Sequence, residues 1–242
     1  MTIPYKETIT YGPILSRRLG RSLGINLLPL DNKICSFNCI YCQYGRTRGD
    51  TGKFLKTDEI IEGVEERLKE LDDLDHITLS GNGEPMLHPD FSRIVQGVIS
   101  LRDRYHPLVP IALLTNGTEF KDEGKRKALD KIDKVIVKID TGCEEGFKEI
   151  NRPLRDIDFQ SHIETIQKGR PNYIQSLFIK ESLDFLDEWF EIINTFRKIC
   201  EVQIYTLDRP TEGQLTGLTL EELKLIAGRK SLVKIRVYHR GI

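Results

Sequence analysis

The 242-residue chain is expected to fold as an α/β protein built on a partial (β/α)6 TIM-like barrel. Three observations predict it. Short β-branched or apolar runs recur six times, longer charged segments of helical period separate them, and polar glycine-containing turns follow several of the runs. Alternating strand and helix implies parallel strands joined by right-handed crossovers. Six units fall short of the eight that close a full barrel.

The first run, Leu23–Leu28, leads into a cysteine-containing loop. In Thr57–Leu71 the residues Ile60, Ile61, Val64, Leu68 and Leu71 share one helical face, and Thr57 is placed to cap its start. The second run, His76–Ser80, precedes an amphipathic stretch at Phe91–Leu101, and the third and fourth are Pro110–Thr115 and Val135–Asp140. The fifth run, Ile174–Lys180, is followed by a helical pattern over Asp184–Ile199, and the sixth, Val202–Leu207, by another over Leu220–Ile226. Leu232–Tyr238 alternates like an extra C-terminal edge strand. With no linker, repeat or low-complexity tract, residues 1–242 read as one domain.

Composition narrows the function classes. Thirty-six basic and 37 acidic residues give a formal net charge of −1, which disfavours nucleic-acid binding through bulk charge and leaves a local patch open. No apolar run approaches the roughly 18 residues of a membrane span, so no membrane partner is expected. The start, Met-Thr-Ile-Pro-Tyr-Lys-Glu, lacks the apolar stretch of a signal peptide, and a cytoplasmic setting of low oxygen tension is expected.

The strongest chemical signal is Cys35, Cys39 and Cys42 in Cys-Ser-Phe-Asn-Cys-Ile-Tyr-Cys, within a loop of about residues 33–46. Three thiolates on one short loop can hold three corners of a [4Fe–4S] cube and leave the fourth iron open. Structural zinc needs four closed ligands, and no His pair lies nearby. Five cysteines is an odd count for a disulfide framework. The isolated Cys143 and Cys200 read as small buried residues rather than ligands.

Further polar residues fall where α/β folds gather their working groups, at the carboxyl ends of strands. The second run ends in Ser80-Gly81-Asn82-Gly83-Glu84-Pro85, whose glycines permit close backbone approach. The third ends in Leu114-Thr115-Asn116-Gly117, and the fourth in Lys138-Ile139-Asp140, whose alternation sends Lys138 and Asp140 to one face.

The cysteine spacing resembles the signature of the radical S-adenosylmethionine (SAM) superfamily, and the strand-end turns extend the likeness over nearly the whole chain. The stretch from Tyr11 to Gly24, with Gly45-Arg46-Thr47, resembles a subgroup of small iron–sulfur oxidoreductases near the activating-enzyme and wyosine-type branches. The resemblance implies a partial barrel of the radical SAM type, an enzyme carrying a [4Fe–4S] cluster, and SAM bound at the open iron. It further implies reductive cleavage of SAM to a 5′-deoxyadenosyl radical that abstracts hydrogen from a substrate. The electron would come from an external flavodoxin- or ferredoxin-like reductant. Gly83 and Glu84 are similar to the Gly-Gly-Glu motif that meets the SAM amino group, with Asn82 in place of a glycine and suited to left-handed backbone. Asp140 and Lys138 look like the pair that reaches the ribose hydroxyls and the carboxylate, each expected to contact cofactor rather than the other. Asn116 joins them as a polar turn residue, and Tyr41, with Tyr205, is expected near the adenine.

Arg17, Arg18, Arg21, Arg46 and Arg48 bracket the cysteine loop and, if convergent, would take an anionic or macromolecular substrate entering by the barrel's lateral gap. A protein-activating enzyme and an RNA base-modifying enzyme remain alternatives at this level, with a non-catalytic iron–sulfur electron carrier as the outlier.

Overall fold

In the computed structural model, which describes residues 2–240, one eight-stranded sheet has its strands in chain order. They are β1 (Thr10–Ser16), β2 (Gly20–Ile25), β3 (His76–Leu79), β4 (Ile111–Thr115), β5 (Lys134–Lys138), β6 (Tyr173–Leu177), β7 (Glu201–Tyr205) and β8 (Ile235–Tyr238). From β2 to β8 every pairing is parallel, so the six expected strands and the C-terminal edge strand are all present. The sheet curls into a partial barrel.

Helices α1 (Thr57–Glu70), α2 (Phe91–Tyr105), α3 (Glu123–Leu129), α5 (Phe159–Lys168), α6 (Leu186–Ile193) and α7 (Leu220–Ala227) make up the helical part, with α4 (Glu144–Gly146) a single turn. Strand residues such as Leu23, Ile77, Leu113, Val137 and Ile174 form one buried core with Ile60, Val64, Ile94 and Val98 of α1 and α2. Alternate residues face the inside, where Ser22, Thr78, Gln175 and Gln203 are polar and buried.

Three expectations need correction. Strand β1 was not anticipated: it runs antiparallel to β2, and Gly12-Pro13 within it, at a register shift between Tyr11 and Ile14, obscured its pattern. Thr57 is the first helical residue rather than the cap, because its hydroxyl donates to Asp90 Oδ2 (2.8 Å). The segment Asp184–Ile199 holds a shorter helix, since Lys180–Phe185 is a 3-10 turn that delivers the chain into α6.

The β1–β2 turn reaches across the inner face. Leu19 packs with Ala112 and Ile136, Arg18 lies 4.5 Å over the Tyr205 ring, and Arg17 pairs with Asp208 at 3.2 Å. Part of the barrel interior is therefore filled by the chain itself. On the far side, a Cβ on Gly142 would lie 1.9 Å from the backbone of Glu188 in α6, so this close approach requires glycine. Trp189 of α6 donates from Nε1 to Ile139 O and Ser176 Oγ, each 3.0 Å, fixing the strand ends beside Asp140.

Candidate functional site

The loop from Lys33 to Arg46 lies over the carboxyl ends of β2 to β5 and is held from two sides. Its start forms a parallel bridge, Ile34 with Gly83, in which Ile34 N donates to Asn82 O (3.1 Å) and Glu84 N to Ile34 O (3.0 Å). A Cβ on Gly83 (φ 135°) would fall 1.8 Å from Ile34 O, so the turn after β3 admits only glycine there. The middle of the loop is held by a π-helical turn, Phe147–Asn151, through Ile40 N to Ile150 O (3.0 Å) and Asn38 N to Asn151 O (3.1 Å). Such turns are frequent at functional sites. Asn82 is not the left-handed residue expected. Positive φ falls on its neighbours Gly81 and Gly83, and the Asn82 side chain instead ties down Lys6 and Pro29.

Each cysteine meets a different donor. Asn116 Nδ2 lies 3.7 Å from Cys35 Sγ, Asn151 Nδ2 lies 3.6 Å from Cys39 Sγ, and Lys33 Nζ donates to Cys42 Sγ at 3.0 Å. Burial pushes the Cys35 and Cys39 thiols up, Cys39 to about 11, so ligation there requires a metal's charge to drive deprotonation. Among the described residues no three His, Cys, Asp or Glu side chains are grouped to hold one metal ion. A cube offers each thiolate its own iron and does not ask the sulfurs to meet.

Glu84 stands at the mouth of β3, 2% exposed. Its Oε1 accepts from Thr115 Oγ1 (2.7 Å) and Met86 N (3.1 Å), and its Oε2 from Asn116 N (2.7 Å). No cation touches it among the described residues. Burial raises its pKa to about 7 even though the three donors pull it down. Asn116 completes a chain of contacts from Glu84 to Ser36 Oγ (2.8 Å) and Cys35.

A second branch runs through Asp140, also 2% exposed. It accepts from the Tyr41 hydroxyl, from Asn151 Nδ2 (2.8 Å) and from Leu177 N (2.8 Å), and pairs with Lys138 Nζ at 2.8 Å. Lys138 and Asp140 thus contact each other directly: alternation puts them on one face, and burial favours their pairing. Burial would lower the Lys138 pKa, but the Asp140 carboxylate and Tyr205 outweigh it and the net shift is upward. The Lys138 ammonium also sits 5.0 Å from the Tyr41 ring and 4.9 Å from the Tyr205 ring. The expected site residues therefore gather at one end of the sheet, most of them in two networks centred on Glu84 and Asp140, with Cys42 apart and bonded to Lys33. Lys33 and Asn151 were missed, since a lone lysine and an asparagine 112 residues from its cysteine give no local signal.

The five arginines do not converge. Arg17 and Arg21 are committed to Asp208 and Asp73, and Arg18 stacks on Tyr205. Arg46 and Arg48 line an open cleft of about 640 Å³ with Tyr5, Tyr44 and Glu212. Cys143 is only partly exposed, its Sγ accepting from Gly146 N (3.5 Å), whereas Cys200 is exposed, contrary to the buried placement expected for both.

Residues 32–179, spanning the cysteine loop through the end of β6, match the Radical SAM superfamily. The chain belongs to the radical SAM superfamily. A UPF0026 protein of Methanocaldococcus jannaschii is 37% identical over 190 residues, covering 75% of this chain and 57% of that protein. A UPF0026 protein of Synechocystis sp. is 33% identical over 212 residues, covering 86% and 75%. The chain spans as little as 31% of another curated relative. A solved radical SAM methyltransferase from Sphaerobacter thermophilus superposes with a TM-score of 0.65 at 14% identity, covering 90% of this chain and 66% of that one, which supports the fold.

Radical SAM proteins are enzymes whose cofactors are a [4Fe–4S] cluster and SAM, and membership brings both to this chain. Its residues fit them. Three thiols on one loop suit three irons, and the buried carboxylate of Glu84, without a counter-charge, suits a cationic amino group. Among the described residues no helix is long and apolar enough to cross a membrane.

Proposed function

We propose that residues 1–242 work as one radical SAM domain, in which Cys35, Cys39 and Cys42 hold the cluster and Glu84 binds the amino group of SAM. The observation that carries this reading is the unpaired buried carboxylate of Glu84, joined through Asn116 to Cys35. When bound, the two cofactors supply reductive cleavage of SAM to a 5′-deoxyadenosyl radical and hydrogen abstraction from a substrate. Gly83 keeps Glu84 close to the cysteine loop, and Asn116 orients both the Glu84 carboxylate and the Cys35 side chain. Asp140 holds Tyr41 and Asn151, and Asn151 reaches Cys39. Lys138, with 18% of its side chain exposed, keeps a cation available for the SAM carboxylate.

The substrate side is the cleft beside the cysteine loop. Arg46 and Arg48, with no ion-pair partner among the described residues, support an anionic substrate, and the tilted ring pair of Tyr5 and Tyr44 lines the same cleft. An external one-electron reductant of flavodoxin or ferredoxin type and a cytoplasmic setting complete the reading. The test is anaerobic reconstitution followed by dithionite and SAM, with 5′-deoxyadenosine and methionine measured as products. Zinc in place of iron, or a cluster that leaves SAM intact, would overturn it.

A further inference from the structure

Lys33 stands two residues before Cys35, yet it serves the other end of the loop. Its side chain folds back so that Nζ donates to Cys42 Sγ (3.0 Å) and to Gly45 O (2.9 Å), and the residue is 5% exposed. An ammonium taken out of water needs compensating charge. Among the described residues no carboxylate forms an ion pair with Lys33, and its two partners are a carbonyl and a sulfur. A cysteine sulfur carrying the negative charge of a bound cluster answers that need. Cys35 and Cys39 are bonded by neutral groups, with the amides of Asn116 and Asn151 at 3.7 and 3.6 Å, and feel the Lys33 charge only from farther off. Among the described residues, the buried ammonium hydrogen-bonded to a loop cysteine is that of Lys33, and its direct bond goes to Cys42.

We propose that Lys33 is a positioning residue for the cluster: its ammonium fastens the Cys42 sulfur to the loop and makes the cluster easier to reduce. The inference rests on the cluster reading above. Three thiolates outweigh the formal charge of an oxidised [4Fe–4S] core, so the assembly is an anion before it accepts an electron. One electron from an external reductant adds a further negative charge and moves no proton. A fixed cation bonded to a ligand sulfur favours that more negative state, and net charge and hydrogen bonds to sulfur are levers on cluster potential. The cation sits on the loop itself, nine residues before Cys42.

The test compares the full-length chain and its Lys33→Met, Lys33→Gln and Lys33→Arg forms, each reconstituted anaerobically and checked for fold by circular dichroism. Iron per chain and the midpoint potential, from a redox titration followed by electron paramagnetic resonance, are the readouts. Lys33→Met is expected to shift the one-electron equilibrium at least tenfold toward the oxidised cluster, about 59 mV for one electron. Lys33→Gln, which keeps a donor without the charge, falls between, and Lys33→Arg stays within threefold of the parent. Loss of iron in Lys33→Met with retention in Lys33→Arg supports the fastening role. Full iron with an unmoved potential in both Lys33→Met and Lys33→Gln overturns this proposal alone. Loss of iron in all three variants also overturns it, because packing rather than charge would then be what matters. A parent chain that takes up no iron instead overturns the cluster reading, and this proposal with it.

Discussion

Replacing Glu84 by Gln separates cofactor binding from folding in one substitution. The side chain keeps its shape and loses its charge. The interval between the ordinary carboxyl value of 4.5 and the folded value of about 7 corresponds to roughly 3 kcal/mol. A carboxyl whose pKa is raised by folding contributes stability that is fully present below the unfolded value and is lost as pH climbs through the folded one. The parent chain should therefore lose roughly 3 kcal/mol from this group between about pH 4.5 and pH 8. The Gln variant should not. It carries a separate cost, because its amide nitrogen would face Asn116 N, which then lacks its acceptor at 2.7 Å. That orphaned donor costs about 1–3 kcal/mol at every pH. Without SAM the variant should therefore be less stable than the parent near pH 4.5 and equal or better near pH 8. SAM affinity should fall by about 1.5–3 kcal/mol, a tenfold loss or more, through removal of a hydrogen bond to a charged group. Urea unfolding of the apoprotein at the two pH values, beside calorimetric SAM titration of the clustered protein, measures both. A stability difference that does not change between the two pH values would refute the assignment of a raised pKa to Glu84. Unaltered SAM affinity with a full cluster would refute its cofactor role.

Reconstituted chain should carry about four irons and four sulfides. Alanine at Cys35, Cys39 or Cys42 should abolish the visible thiolate-to-iron absorbance, while alanine at Cys143 and Cys200 leaves it intact. Lys138→Met should destabilise the SAM-free protein by about 3–5 kcal/mol, because it leaves the Asp140 charge uncompensated in the interior; an unchanged melting curve would show that the pair does not support the fold. Tyr41→Phe removes a hydroxyl donor to the same carboxylate and should cost about 1.5–3 kcal/mol by denaturant titration, with iron content unchanged because Tyr41 is no ligand.

The parallel part of the sheet was readable because its strands are short β-branched or apolar runs, continuous as in Val135-Ile136-Val137 of β5 or alternating with buried polar residues as in β6 and β7. β1 was not, because an edge strand interrupted by Gly12-Pro13 shows neither alternation nor an apolar run. Within the candidate site, Cys35, Cys39, Cys42 and Glu84 were legible as candidates through spacing and turn chemistry. The pairing of Lys138 with Asp140 follows from alternation, but which partner each prefers depends on burial, which local sequence does not state. Asn151 was hidden for a different reason. Its importance comes from a π-helical turn that aims it at Asp140 and Cys39, and the turn lies outside both the helical and the strand period.

That same clamp has a bearing on how the protein is made. Cys39 leaves the ribosome 112 residues ahead of Asn151. At ordinary translation speed this is an interval of roughly 5–20 seconds. Throughout it the nascent loop has Lys33 beside it but lacks the π-helical turn that supports its backbone, and the Gly83 bridge forms only partway through. Metal delivery is therefore best timed after β5 and the segment beyond it have emerged. Iron offered earlier meets three cysteines on an unsupported tether, exposed to oxidation and to competing thiol-binding metals. Slowing elongation beyond residue 42 should lower the fraction of chains matured with a full cluster, although it alters no residue of the finished site.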